Sequence, residues 1–232
     1  ALADELRART RQAYGLPDGE RVEFETVTGK RWAANANYRG GGLTRVLINT
    51  DLPIHAFRLL ELAAHEAYPG HHTEHVCKEA ALGHAELAVF LFPTPQALVA
   101  EGLAQMALQS VLGQDAEDVA AECLRPLGIR YDARKAAVVR AVKEALGAVR
   151  ANVAMLLDAG DEAQARSYAR RWMIESDEHV DRAVRAVRDG PWRPYESCYP
   201  EGLRLCRSYV AREPDGFRRL LTEQLTTSDL GG

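Results

Sequence analysis

The period of apolar positions changes twice within the first sixty residues. Residues 2 to 13 read as a short charged helix, which Gly15, Pro17, Asp18 and Gly19 end in a turn. From Arg21 to Val27 the period is two, with Val22, Phe24 and Thr26 set against Glu23 and Glu25, and this predicts a strand. Arg31 to Tyr38 predicts a second strand, and Arg45 to Asn49 a third after the Gly40-Gly41-Gly42 break. Three short strands make a small sheet.

From Pro53 onward the period is helical. Asp51 is the expected N-cap, with Pro53 in the first turn. Leu59, Leu60, Leu62, Ala63 and Ala64 leave few polar positions, so this helix is expected to carry His65 and Glu66 into the interior. Further helices are predicted at about 95–112, 115–125, 132–158, 161–174, 176–188, 199–211 and 215–224. The pattern as a whole predicts an α+β fold, mainly α, with the small sheet packed on an active-site helix and a helical C-terminal region. It reads as one domain over 1–232, with the sheet at about 20–50 and helices from about 53 onward.

Composition narrows the function classes. The 232 residues carry 29 basic and 33 acidic side chains, mixed throughout and summing to -4, so no charged arm proposes nucleic acid or an anionic membrane as partner. Apolar runs such as Ala85 to Phe92 are too short to span a bilayer, the first residues lack a signal pattern, and a cytoplasmic protein is expected. Cys77, Cys123, Cys198 and Cys206 show no CxxC spacing and suit reduced, mostly buried thiols. The chain does not begin with methionine, which suggests an excised or processed piece.

The chemistry concentrates at His65-Glu66-Ala67-Tyr68-Pro69-Gly70-His71-His72. A buried His-Glu pair needs partners, because unpaired polar groups in a core are costly, and a bound cation is one solution. Zinc-protease helices carry histidines at i and i+4 with the intervening glutamate as base, yet the fourth residue after His65 is Pro69. On a straight helix six residues advance about 600°, so His71 would point roughly 120° away from His65, and His72 would lie about 10 Å further along. A kink or bulge at Pro69-Gly70 is therefore required if either is to meet His65.

His-Glu-x-x-Pro-Gly-His resembles the motif of the DUF885 family, which groups with gluzincin-like, thermolysin-type metallopeptidases. The resemblance selects His71 over His72, and Glu101-Gly102-Leu103-Ala104 resembles the family's later Glu-Gly segment. It implies one zinc ion held by His65, His71 and Glu101, with other divalent transition metals open. It also implies Glu66 as the general base that activates water against a peptide or related amide bond. Tyr199-x-x-Gly202 resembles the family's Tyr-x-x-Gly, which implies Tyr199 as a stabiliser of the oxyanion, with Arg204 a weaker candidate. Residues 37–42 and 45–53 look like the family's sheet edge, where an extended peptide could add as a strand. The likeness runs from about Asn37 to the C-terminus. Fuller members carry an N-terminal helical portion absent here, and an Asp-Thr-Gly-x-His-like stretch is not evident at Arg150 to Gly160. Two alternatives stay open: a metal-binding accessory protein without turnover, and a metal-dependent hydrolase of a non-peptide amide.

The other singled-out residues have simpler readings. His72 is expected beside the site or at the surface, and His75 at most beside it. His55, His84 and His179 are expected at the surface or satisfied in the core. Trp32, Trp172, Trp192, Met106 and Met155 read as packing residues. Arg166, Arg170, Arg171, Arg182, Arg185 and Arg188 recur at helical spacing near acidic residues, as on a solvated face laced with ion pairs.

Overall fold

A computed structural model describes residues 1–30, 32–51, 53–83, 91, 94–188 and 193–231. Helix α1 (Leu2–Tyr14) is followed by β1 (Arg21–Val27), β2 (Ala34–Tyr38) and β3 (Leu43–Asn49). These form one sheet in the order β1-β3-β2, with β3 parallel to β1 and antiparallel to β2. Gly40, Gly41 and Gly42 all have positive φ and turn the chain between β2 and β3, a path closed to most side chains. The central strand is the buried one, with Thr44, Val46 and Asn49 inside. β1 is an edge, so Phe24 stays 45% exposed and the expected apolar face of that strand is only partly covered. Arg31, at the start of the second predicted strand, lies outside the described residues.

The rest is helical: α2 (Ala56–Glu66), α3 (His71–Leu82), α4 (Pro95–Leu112), α5 (Ala116–Leu124), α6 (Ala133–Ala145), α7 (Val149–Asp158), α8 (Glu162–Trp172), α9 (Asp177–Arg188), α10 (Arg193–Glu196), α11 (Cys198–Arg212), α12 (Gly216–Thr222) and α13 (Thr227–Gly231). The fold is thus mainly α with a small three-stranded sheet. No helix among the described residues is long and apolar enough to cross a membrane.

Four expectations are corrected. Asp51 does not cap α2, which starts at Ala56 with His55 at the N-cap. Its carboxylate instead accepts the Gly29 N–H at 3.0 Å and pairs with Arg182 at 2.7 Å, tying the end of the sheet to α9. The helix expected over 132–158 is two helices, broken at 146–148 by tighter turns in which Gly147 N–H reaches Glu144 O and Val149 N–H reaches Leu146 O. The break lets each half serve a different neighbour. α6 lies largely open, with Val138 63% exposed, whereas α7 buries Val153, Ala154 and Leu157. Met155 is at the surface, because the buried face of α7 is taken by those residues. Trp172 is also no core anchor: it ends α8 half-exposed, beneath the Arg171 guanidinium.

Three buried clusters hold the fold together. The first joins α1, α2, α4 and α5 through Leu6, Leu60, Ala64, Tyr68, Leu108 and Val119. The second joins β2, α3, α4, α11 and α12 through Tyr38, Val76, Leu103, Cys206, Phe217 and Leu220. The third is a separate cluster of α7, α8 and α9 built on Val153, Leu157, Ala165, Ala169, Val180 and Val184. All four cysteines are free. Cys198 and Cys206 stand on α11, about 12 Å apart along its axis. The arginines of α8 and α9 form the expected lattice, with Arg166 and Arg188 on Glu162 and Arg166 and Arg170 on Asp181.

Candidate metal centre

α2 ends at Glu66, and α3 begins at His71. Between them the chain folds back over the end of α2, with Ala67 N–H on Ala63 O and Gly70 N–H on Ala64 O at 2.9 Å. The Tyr68–Pro69 peptide is cis. A β-carbon at Gly70 would lie 1.9 Å from His65 O and 2.4 Å from Ala64 O, so only glycine fits this close approach. The Pro-Gly pair is thus a break between two helices, as the spacing of the histidines requires.

That break separates the two adjacent histidines. His71 faces His65, their rings 4.7 Å apart edge to face. His72 is fully buried on the opposite side, with Nε2 3.0 Å from Glu20 Oε2 and Nδ1 2.7 Å from Thr44 Oγ1. Burial lowers the His72 pKa, so the ring is neutral near pH 7, its Nε2–H donating to Glu20 and its Nδ1 accepting from the Thr44 hydroxyl. Glu20 also accepts from Tyr68 at 2.6 Å, Arg7 at 2.8 Å and Arg11 at 3.1 Å. Burial opposes the Glu20 charge, but His72, Tyr68 and Arg7 overcome it and bring its pKa down to about 2. This network holds α3 against the sheet and α1 with His71 turned inward.

Glu101 reaches the same point from α4. Gly102 lies against Gly202 of α11: a β-carbon on Gly102 would stand 2.2 Å from Gly202 O, and one on Gly202 2.2 Å from Leu98 O. Two facing glycines allow α4 and α11 to cross closely, which brings Glu101 and Tyr199 to one cleft. Glu101 Oε2 is 3.2 Å from His65 Nε2, and Oε1 is 3.5 Å from His71 Nε2. One donor atom from each of His65, His71 and Glu101 lies within 4.8 Å of the others.

These three residues fit a cation. Ligands about 2.1 Å from a tetrahedral ion stand about 3.4 Å from one another, close to the two distances above. Glu101 Oε2 is buried and makes no hydrogen bond among the described residues, despite His65 Nε2 nearby; the two atoms approach without a donor-acceptor alignment. Burial disfavours a charged His71, yet the Glu101, Glu66 and Glu74 carboxylates outweigh it and raise its pKa to about 9. Glu101 is held below the ordinary carboxylate range by His71 and His65, although burial pushes the other way. The surroundings favour positive charge here, whether proton or metal ion. Two imidazoles and one carboxylate are a zinc-type donor set that leaves a coordination position open.

The centre opens on a cleft of two lobes, of 490 and 380 Å³, which share Trp32, Ala34, His65, Glu66, Arg150, Glu196 and Tyr199 among their lining residues. Glu66 is therefore on the wall beside His65. Tyr199 stacks near His65 with ring centroids 6.5 Å apart, and its phenol pKa is raised by burial and by Glu101. Arg204, the weaker candidate, pairs with Glu201 on the exposed side of α11. His75 lines the smaller lobe and stacks on Tyr38 at 4.8 Å. His55 stands at the N-cap position of α2 without a side-chain capping bond, half-buried His179 meets Ser176 and lines the larger lobe, and His84 and Trp192 lie outside the described residues. Trp32 and Trp172, expected as packing residues, both line the larger lobe.

Sequence reasoning missed Tyr195, whose hydroxyl donates to Glu101 Oε1 and whose ring meets Tyr199 edge to face at 5.6 Å. It stands in the four-residue α10, too short to show periodicity. The signal available was its spacing of four residues before Tyr199, one helical turn.

Compared with known proteins, the sequence matches no family model and no curated protein. Among solved structures it is similar to the crystal structure of a putative lipoprotein from Colwellia psychrerythraea, with a TM-score of 0.68 and 21% identity. The match covers 99% of this chain and 40% of that one, so the chain spans less than half the length of the protein it resembles. At that identity the likeness is one of fold.

Proposed function

We propose that this chain is the catalytic portion of a zinc-dependent hydrolase of peptide or related amide bonds, of gluzincin-like fold and related to the DUF885 family. The observation that carries this reading is the convergence of His65, His71 and Glu101 on one point, brought about by a break at Pro69-Gly70. A zinc ion held by these residues would polarise the substrate carbonyl and acidify water. Glu66, on the same wall, takes the proton from that water and passes it to the leaving amine. Tyr195 fixes the orientation of Glu101 through its hydroxyl, while Tyr199, which lines both lobes beside His65, is the donor to the developing oxyanion. β2 is an edge strand, and its Ala34, Asn35 and Ala36 line the smaller lobe with Glu66 and His71. An extended peptide pairing with that edge would run past the centre, which supports a peptide over a compact amide.

The test is zinc content together with hydrolysis of a mixed peptide library. Wild type and His72→Ala are expected to hold one zinc per chain, and His65→Ala, His71→Ala and Glu101→Ala to lose it. Glu66→Gln should keep zinc and lose turnover by about 1,000-fold or more. Full zinc retention by His71→Ala would refute the ligand set, and zinc binding with no hydrolysis of any peptide would refute the peptidase reading.

A further inference from the structure

Among the described residues, Arg150 of α7 is the arginine or lysine that lines both lobes of the cleft, together with His65, Glu66 and Tyr199. Its Nε–H donates to Glu196 Oε2 at 2.7 Å, and its Nη2 donates to Glu196 Oε1. This fork occupies one edge of the guanidinium. The other edge, bearing Nη1, has no hydrogen-bond partner among the described residues. The Arg150 side chain remains 45% exposed, while that of Glu196 is 5% exposed, so the carboxylate is the buried member and the arginine faces the cleft. Arg150 also lies close enough to Tyr199 for its charge to oppose the upward shift of that phenol.

A guanidinium held in plane by one carboxylate is ready to receive a second on its free edge. The planar fork matches carboxylate geometry, and Glu196 has already restricted the side chain, so less rotamer freedom is lost on binding. We propose that Arg150 is a carboxylate-binding subsite of the cleft. The substrates it selects are short peptides or acyl amino acids with an anionic group near the scissile bond: the C-terminal α-carboxylate, or an acidic side chain. The placement of a scissile bond beside Glu66 rests on the hydrolase reading above; carboxylate capture by Arg150 does not.

Calorimetric binding tests this without turnover. The ligands are N-acetyl-Ala-Ala with a free carboxylate, the same dipeptide as its amide, and the amide of N-acetyl-Glu-Ala. The proteins are wild type, zinc-loaded and stripped by chelator, His71→Ala, and the double variant Arg150→Met with Glu196→Gln, which leaves no buried charge unpaired. Wild type and His71→Ala are expected to prefer an anionic ligand over the neutral amide by about 10- to 100-fold, and the double variant to show no preference. Which anionic ligand wins distinguishes a terminal from a side-chain carboxylate. Arg150→Lys, which keeps the charge and loses the fork, is expected to retain a preference of a few-fold, and melting curves check that each variant is folded. A preference that survives in the double variant and in Arg150→Lys unchanged, or wild type that binds all three ligands alike, overturns the proposal. So does a preference lost in His71→Ala alone, which would mean that the carboxylate sits on the metal. Retained preference with no peptide hydrolysis would count against the peptidase reading and leave the subsite standing.

Discussion

His71 and His72 are adjacent in sequence and serve opposite sides of the fold: His71 Nε2 lies 3.5 Å from Glu101, and His72 Nε2 lies 3.0 Å from Glu20. One belongs to the cleft and the other to the packing that orients it. If the proposed ligand set holds, the pair separates metal binding from stability by a shift of one residue. His72→Ala is expected to keep its zinc while losing about 2–4 kcal/mol of stability, because it leaves a cavity and the buried groups of Glu20 and Thr44 with fewer partners. Denaturant unfolding and metal content, measured together, check this.

Gly70→Ala should be more damaging than an ordinary surface substitution. The added methyl would overlap two carbonyl oxygens at the end of α2, so the break must open and His71 must leave His65. A stability loss of about 3 kcal/mol or more is expected, with zinc affinity reduced even where the protein still folds. Unfolding curves and zinc titration would show it, and a variant with native affinity would contradict the geometry.

Glu20 gives a pH dependence of definite sign. Its folded pKa of about 2 lies below the unfolded reference of 4.5, so its contribution is fully present above pH 4.5 and is lost as pH falls toward 2. The size is up to about 3 kcal/mol. Wild type and Glu20→Gln should thus differ most near neutrality and converge between about pH 4.5 and 2, as read by unfolding free energies at a series of pH values.

The two tyrosines beside Glu101 are expected to separate by readout. Tyr195→Phe removes the hydrogen bond to Glu101 Oε1 and should weaken zinc binding by about 10- to 100-fold. Tyr199→Phe should leave zinc affinity within about two-fold and lower kcat by roughly 100-fold, as for loss of one oxyanion donor. A metal titration and a kcat measurement on both variants distinguish these roles.

Zinc added to chelator-treated protein should raise its stability by about 3 kcal/mol once the free ion exceeds its dissociation constant about 100-fold. Glu101→Gln and His71→Ala should show little of this gain. Thermal melting with and without zinc provides the comparison.

The candidate site was legible where its chemistry is local. His65, Glu66 and His71 fall within seven residues, and the geometry of a straight helix already demanded a break at Pro69-Gly70. Glu101 lies on another helix and was reached only through the Glu-Gly resemblance; the reason for that glycine, its contact with Gly202, belongs to a helix crossing that no local pattern encodes. Tyr195 was missed because the four-residue α10 is too short to show periodicity. The sheet was legible as three strands, but their order was not, since β3 enters between β1 and β2 through pairing distant in sequence. Asp51 reads as a helix cap from its neighbours alone, and Arg182, far along the chain, competes for its carboxylate. At 146–148 the apolar pattern runs on through Leu146 and Ala148, yet the chain breaks there in tight turns and only α7 goes on to join the third buried cluster.

The wall of the cleft that carries His65, His71 and Glu101 is supported by the first and second buried clusters, whereas Arg150 and its helix are supported by the third. The proposed chemistry and the proposed choice of substrate therefore rest on different foundations. A lineage could redraw the cleft by exchanging residues on α7 and α9, with His65, Glu66, His71, Glu101 and the break at Pro69-Gly70 inherited unchanged.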